Sequence, residues 1–86
     1  MKMEEEKARK KAHELDATVR VGKKGVEAVA DELADQLSNE EPRKVKFLRS
    51  SRGGTTTDEL ARELAEEAGA QLVDTRGHTA VYVRDR

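Results

Sequence analysis

Apolar and polar positions alternate over Thr18-Val19-Arg20-Val21, the period-two pattern of a half-buried strand. Val26, Val29, Ala30, Leu33 and Leu37 then recur at helical spacing, a stripe of about three turns. Ser38-Asn39 and Pro42 close that helix, since proline cannot continue it. Alternation returns over 43–49, where Val45 and Phe47 share a face with the stems of Arg43 and Arg49. Lys44, Lys46 and Leu48 share the other. A second stripe, Leu60, Ala61, Leu64 and Ala68, opens at Thr56-x-x-Glu59, a capping box with Thr57 and Asp58 as competing caps. Gly69 is placed to close it. Leu72 to Thr75 and Thr79 to Val83 then pair as a hairpin across Arg76-Gly77-His78.

Residues 4–15 carry only Ala8, Ala12 and Leu15 at helical spacing, so the first helix is expected to be the least stable element. The predicted order is α-β-α-β-α-β-β. The first two strands are separated by a helix and should pair in parallel through a right-handed crossover. The expected fold is α/β, a two-layer sandwich with a four-stranded mixed sheet and helices packed mainly on one face. The 86 residues read as a single domain: residues 1–16 form a weakly held basic helix and residues 18–84 the core. A chain this short buries only about 60–65% of its unfolded surface, so its stability margin is thin.

Composition removes several function classes. There is no cysteine, hence no disulfide framework, thiolate zinc site or cysteine nucleophile, which suits a cytoplasmic location. No apolar run approaches the roughly 20 residues that span a bilayer, and Met-Lys-Met-Glu-Glu-Glu is not the start of a signal peptide. The two histidines, His13 and His78, have no neighbouring nucleophile and no metal-type spacing, so neither an enzyme nor a metal or other cofactor is expected. The net charge of −1 conceals a segregation. From Val26 to Pro42 there are six acids and no Lys or Arg; from Arg43 to Arg52 there are five bases and no acid. If the helices share one side of the sheet, an acidic back opposes a basic front, and such a field steers polyanions.

The candidate chemistry lies in Gly22-Lys23-Lys24-Gly25, between the first strand and a helix. Flexible backbone, two ammonium groups and a helix N-terminus at one spot favour an anion. The motif lacks the third glycine of a dinucleotide-binding loop and the Lys-Ser/Thr ending of a Walker A loop. A clamp for nucleic-acid phosphates is the working expectation, with Lys44, Lys46, Arg49 and Arg52 extending the track. With Phe47 and Tyr82 as the only Phe, Tyr or Trp rings, recognition would rest on phosphates, shape and 2′-hydroxyls rather than stacked bases.

Several of these features together resemble the CRM domain, the chloroplast RNA splicing and ribosome maturation module whose stand-alone prokaryotic form is the YhbY family. Val-Gly-Lys-Lys-Gly-Val at 21–26 is similar to its Gly-x-x-Gly loop, and Lys44-Val45-Lys46-Phe47 to its second strand. The run from Leu64 to Ala70 followed by Leu72-Val73, and Gly77-His78-Thr79 through Arg84, resemble its last helix and closing hairpin. The resemblance implies a fold like the C-terminal domain of bacterial initiation factor three. It also implies a monomeric, non-enzymatic protein that binds ribosomal RNA in precursors of the large subunit. The site residues it implies are Gly22, Lys23, Lys24, Gly25, Lys44 and Arg84. Two family positions differ here: His78 replaces a basic residue, and Tyr82 stands one place ahead of the usual aromatic. The competing expectation is a protein-interaction module that docks a ribosomal protein or self-associates.

Overall fold

The computed structural model describes residues 16–85; the expected first helix, at 4–15, lies outside them. Four strands, β1 (Val19–Val21), β2 (Arg43–Phe47), β3 (Ala70–Arg76) and β4 (Thr79–Arg84), form one sheet in the order β1-β2-β4-β3. As the helical separator between them predicts, β1 and β2 are parallel, with Val19 opposite Val45 and Val21 opposite Phe47. β4 inserts antiparallel between β2 and β3. β3 and β4 are each longer than the sequence pattern indicates, and a register shift between Leu72 and Asp74 puts a bulge in the edge strand β3. Bulged edges discourage pairing with other chains.

Two helices, α1 (Ala30–Asn39) and α2 (Thr57–Ala68), supply the second layer. The core unites Val19, Val21, Val45, Phe47, Ala80 and Tyr82 of the sheet with Ala30, Leu33, Leu37, Leu60, Ala61 and Leu64 of the helices. One sheet face and both helical stripes therefore meet, as the periodicities require. Thr56 is the residue that caps α2, its hydroxyl accepting the Glu59 amide at 3.2 Å. Gly69 closes the helix in the left-handed conformation at φ 64°. The expected reciprocal half of the capping box is diverted, because the Glu59 carboxylate accepts from the Thr55 hydroxyl at 2.7 Å instead.

The stripe beginning at Val26 departs from expectation. Val26–Ala28 is a single 3-10 turn, and the α-helix begins only at Ala30. Val26 is buried beneath that turn, so the apolar spacing is used while the backbone winds more tightly.

Tyr82 anchors the two layers. It is fully buried, and its hydroxyl donates to the Ala61 carbonyl of α2 at 2.7 Å. Burial pushes its phenol well above the ordinary value of about 10. A folded-state pKa raised above the unfolded one means stability that is complete below about pH 10 and lost as pH rises beyond it. Tyr82→Phe is expected to cost about 0.5–1.5 kcal/mol at pH 7 and to flatten the alkaline loss. Denaturant titrations of both proteins at pH 7 and pH 10.5 measure this. Curves that stay the same distance apart at both values would remove Tyr82 from the alkaline response.

Candidate nucleic-acid interface

Because β1 and β2 are parallel and β4 is antiparallel to β2, three connections converge at one end of the sheet. They are the Gly22–Gly25 loop after β1, the connection from β2 to the entry of α2, and the β3–β4 hairpin turn. Hydrogen bonds tie them together. The Leu48 amide donates to the Val21 carbonyl at 2.9 Å, and the Phe47 amide donates to the His78 carbonyl at 2.7 Å. The Thr57 hydroxyl and His78 Nδ1 lie 3.2 Å apart. This end therefore forms one continuous surface built from segments more than fifty residues apart in the chain.

Gly22-Lys23-Lys24-Gly25 is a tight turn closed on itself, the Gly25 amide donating to the Gly22 carbonyl at 3.0 Å. One amide expected to be available for an anion is thus already used. The helix N-terminus expected directly behind the loop is the short 3-10 turn, with α1 starting five residues after Gly25. What the turn presents is its two lysines, both exposed. The two glycines have different duties. Gly25 sits at φ 82°, ψ −177°, a region open essentially to glycine alone. At Gly22 an added Cβ would make only ordinary contacts, at 3.7 Å from Ser50 Oγ and 3.9 Å from Leu48 Cδ1. Gly22→Ala should therefore fold normally, and it tests close ligand approach. Gly25 substitutions are confounded by about 1–3 kcal/mol of backbone strain.

After β2 the chain makes a second 3-10 turn, Arg49–Ser51. Arg49 is exposed and Arg52 is half-buried, with its Nε buried and no hydrogen-bond partner among the described residues. Gly22 is close enough to Ser50 that the two basic loops flank each other.

On the sheet face opposite α1 and α2, a row crosses all four strands next to these loops. Arg20 stands opposite Lys46, Lys46 opposite Thr79, and Thr79 opposite Arg76. Arg20, Lys46 and Arg76 are exposed. With strands about 4.8 Å apart, the row spans about 14 Å. The next outward row is different: half-buried Lys44 faces Val81, which faces Asp74, and Val81 is only 1% exposed. The solvent-facing cations are thus concentrated at the loop end. Among the described residues, Arg20, Lys23, Lys24, Lys46, Arg49 and Arg76 make no ion pair.

Gly22, Lys23, Lys24, Gly25, Lys46, Arg49 and Arg52 are brought together here, and Lys44 lies two residues back along β2. Arg84 is not with them. It ends β4 at the opposite end of the sheet, across from Ala70, where it pairs with Glu41. Arg43, at the same far end, pairs with Glu40 at 3.4 Å. Arg20, Arg76 and His78 join the cationic end without having been singled out as site residues. Alternation with Val19 and Val21 could have flagged Arg20; Arg76 and His78 reach it only through strand pairing. The charge separation is by face rather than by end. Exposed Glu27, Asp58 and Glu59 lie near the loops on the helix side, with Asp58 accepting from Thr75 at 3.0 Å.

Among the described residues no helix is long and apolar enough to cross a membrane. A 36%-identical relative, named "Probable RNA-binding protein" in Methanocaldococcus jannaschii, aligns over 78 residues, 91% of this chain. The chain spans 58% of that relative's length. The solution structure of a hypothetical protein of Staphylococcus aureus, described as a candidate RNA binder, superposes with a TM-score of 0.74. The sequences are 30% identical, and the match covers 95% of this chain and 84% of the other. That likeness bears out the mixed α/β sandwich. Residues 2–84 match the CRS1 / YhbY (CRM) domain, so the chain, over nearly its whole length, belongs to that family.

Proposed function

We propose that this protein binds RNA without catalysing a reaction, holding backbone phosphates at the loop end of its sheet. The observation that carries the reading is the set of six exposed cations gathered there with no carboxylate partner among the described residues, while Arg43 and Arg84 at the other end are ion-paired. Unpaired charges that the fold holds close together raise a local potential that attracts a polyanion. Lys23 and Lys24 reach from the Gly22–Gly25 turn, Arg49 and Arg52 from the adjoining loop, and Lys46 from the sheet; Arg20 and Arg76 complete the surface. Lys44 borders it, and Arg84 falls outside it. The names of the relatives agree with RNA as the partner. We assign ribosomal RNA in large-subunit precursors as that partner, on the resemblance to the stand-alone YhbY form.

Each cation that displaces a counterion steepens the fall of log affinity with log salt by about 0.7–0.9. The Lys23→Ala/Lys24→Ala double variant should therefore flatten the salt slope for ribosomal RNA fragments by about 1–2 units while keeping its thermal midpoint. A folded double variant with an unchanged slope would exclude the turn from the interface. Crosslinking in cells, followed by sequencing of the bound RNA, tests the assignment to large-subunit precursors. Recovery of messenger or transfer RNA alone would refute it.

A further inference from the structure

The surface that would take RNA offers almost nothing on which an unpaired base could stack. The single phenylalanine, Phe47, and the single tyrosine, Tyr82, are both fully buried, and there is no tryptophan. Proteins that hold single strands gain about 1–3 kcal/mol per base from aromatic stacking. Here the one exposed aromatic ring among the described residues is His78, and it is engaged with Thr57.

The exposed cations are arranged in two tiers. Lys23, Lys24 and Arg49 stand on the loops, and Arg20, Lys46 and Arg76 form the row across the sheet beneath them. The row is fixed by strand register. The loops are fixed by the Gly25–Gly22, Leu48–Val21 and Phe47–His78 hydrogen bonds. The backbone thus holds the roots of six cationic side chains at set spacings, which complements a ligand whose phosphates are themselves at fixed positions. A flexible strand would have to lose conformational freedom to match it, without stacking to offset that loss. Two tiers also match two phosphate backbones flanking a groove, whereas a single strand presents one line. An A-form helix supplies such a surface, with a wide, shallow groove edged by phosphates and 2′-hydroxyls.

We infer that the RNA bound at this end is double-helical. The inference rests on the RNA-binding reading above and names the form of RNA that the site takes.

Fluorescence anisotropy at 0.1 M salt tests it with three labelled probes: an RNA hairpin with a stem of about 16 base pairs, comparable to the span of known duplex-binding modules, and each strand of that stem alone. The hairpin is expected to bind at least about tenfold tighter than either strand. Lys46→Ala/Arg76→Ala, with an unchanged thermal midpoint, is expected to lose about tenfold or more of the hairpin affinity. Strands that bind as tightly as the hairpin, or tighter, overturn the duplex inference and leave RNA binding standing. Failure of all three probes to bind, even at 0.05 M salt, overturns RNA binding itself and the duplex inference with it. An unaltered hairpin affinity in the double variant overturns the two-tier geometry on which the inference depends.

Discussion

Replacing Lys23, Lys24 and Lys46 together by glutamate is expected to weaken RNA binding by about 10³-fold at 0.1 M salt. The magnitude comes from counterion release. With a slope of about 0.9 per phosphate contact, each contact contributes about 0.9 log unit between 1 M and 0.1 M salt. Losing three contacts removes nearly three log units, and three new negative charges add repulsion. The three side chains are exposed, and none is ion-paired among the described residues, so their reversal should leave the fold unaltered. Neutralising the exposed carboxylates Glu32, Asp35 and Glu63 of the helices, each to glutamine, provides the contrast. It should change affinity less than about threefold, because those groups face away from the proposed surface and are screened by salt. Binding isotherms at three salt concentrations measure both variants. A charge-reversed protein that is folded and still binds within tenfold of the parent would exclude the loop end as the RNA surface.

The largest expected effect on stability belongs to Phe47→Ala. Phe47 is 0% exposed at the centre of the core, and truncating a buried phenylalanine costs about 3–5 kcal/mol. In a domain of this size each kcal/mol lowers the thermal midpoint by about 4–8 °C, so a fall of at least about 12 °C is expected. Phe47 also bears on function through its backbone, since its amide donates to the His78 carbonyl and its carbonyl leads into the Arg49–Ser51 turn. The variant should therefore lose RNA affinity at temperatures where the sheet loosens, even though its ring touches no ligand. Calorimetry gives the midpoint. A decrease below about 5 °C would mean that the core repacks around the missing ring far more readily than its burial implies.

Much of the fold was legible because the relevant interactions are local. Val19/Val21 and Val45/Phe47 alternate as buried strand positions do, and all four are buried. Thr56 and Gly69 bound α2 where capping chemistry places them. The parallel pairing of β1 with β2 followed from the helix between them. The departures have equally physical sources. The Val26–Ala28 turn satisfies the same apolar spacing as an α-helix, so periodicity could not separate the two windings. The Glu59 side chain had two acceptable partners, and the Thr55 hydroxyl won.

The site was legible in part. Lys23 and Lys24 stand out in the sequence because glycines flank them. Arg84 entered the expected set by family likeness, yet strand direction carries it to the far end, beside Glu41. Arg76 is only a hairpin-turn flank when read along the chain. It becomes part of a cationic row because Thr79 lies opposite it and Lys46 opposite Thr79.

The amino-acid order alone determined the order and type of the main elements, the apolar faces they bury, the caps of α2, and that positive charge accumulates around a glycine-flanked turn. These depend on neighbours within a few residues and on a period of 2 or 3.6. Only the tertiary structure decided which cations stand side by side and which are neutralised. That outcome depends on strand order and register, which are fixed by pairing across long stretches of chain and leave little trace in any short window of sequence.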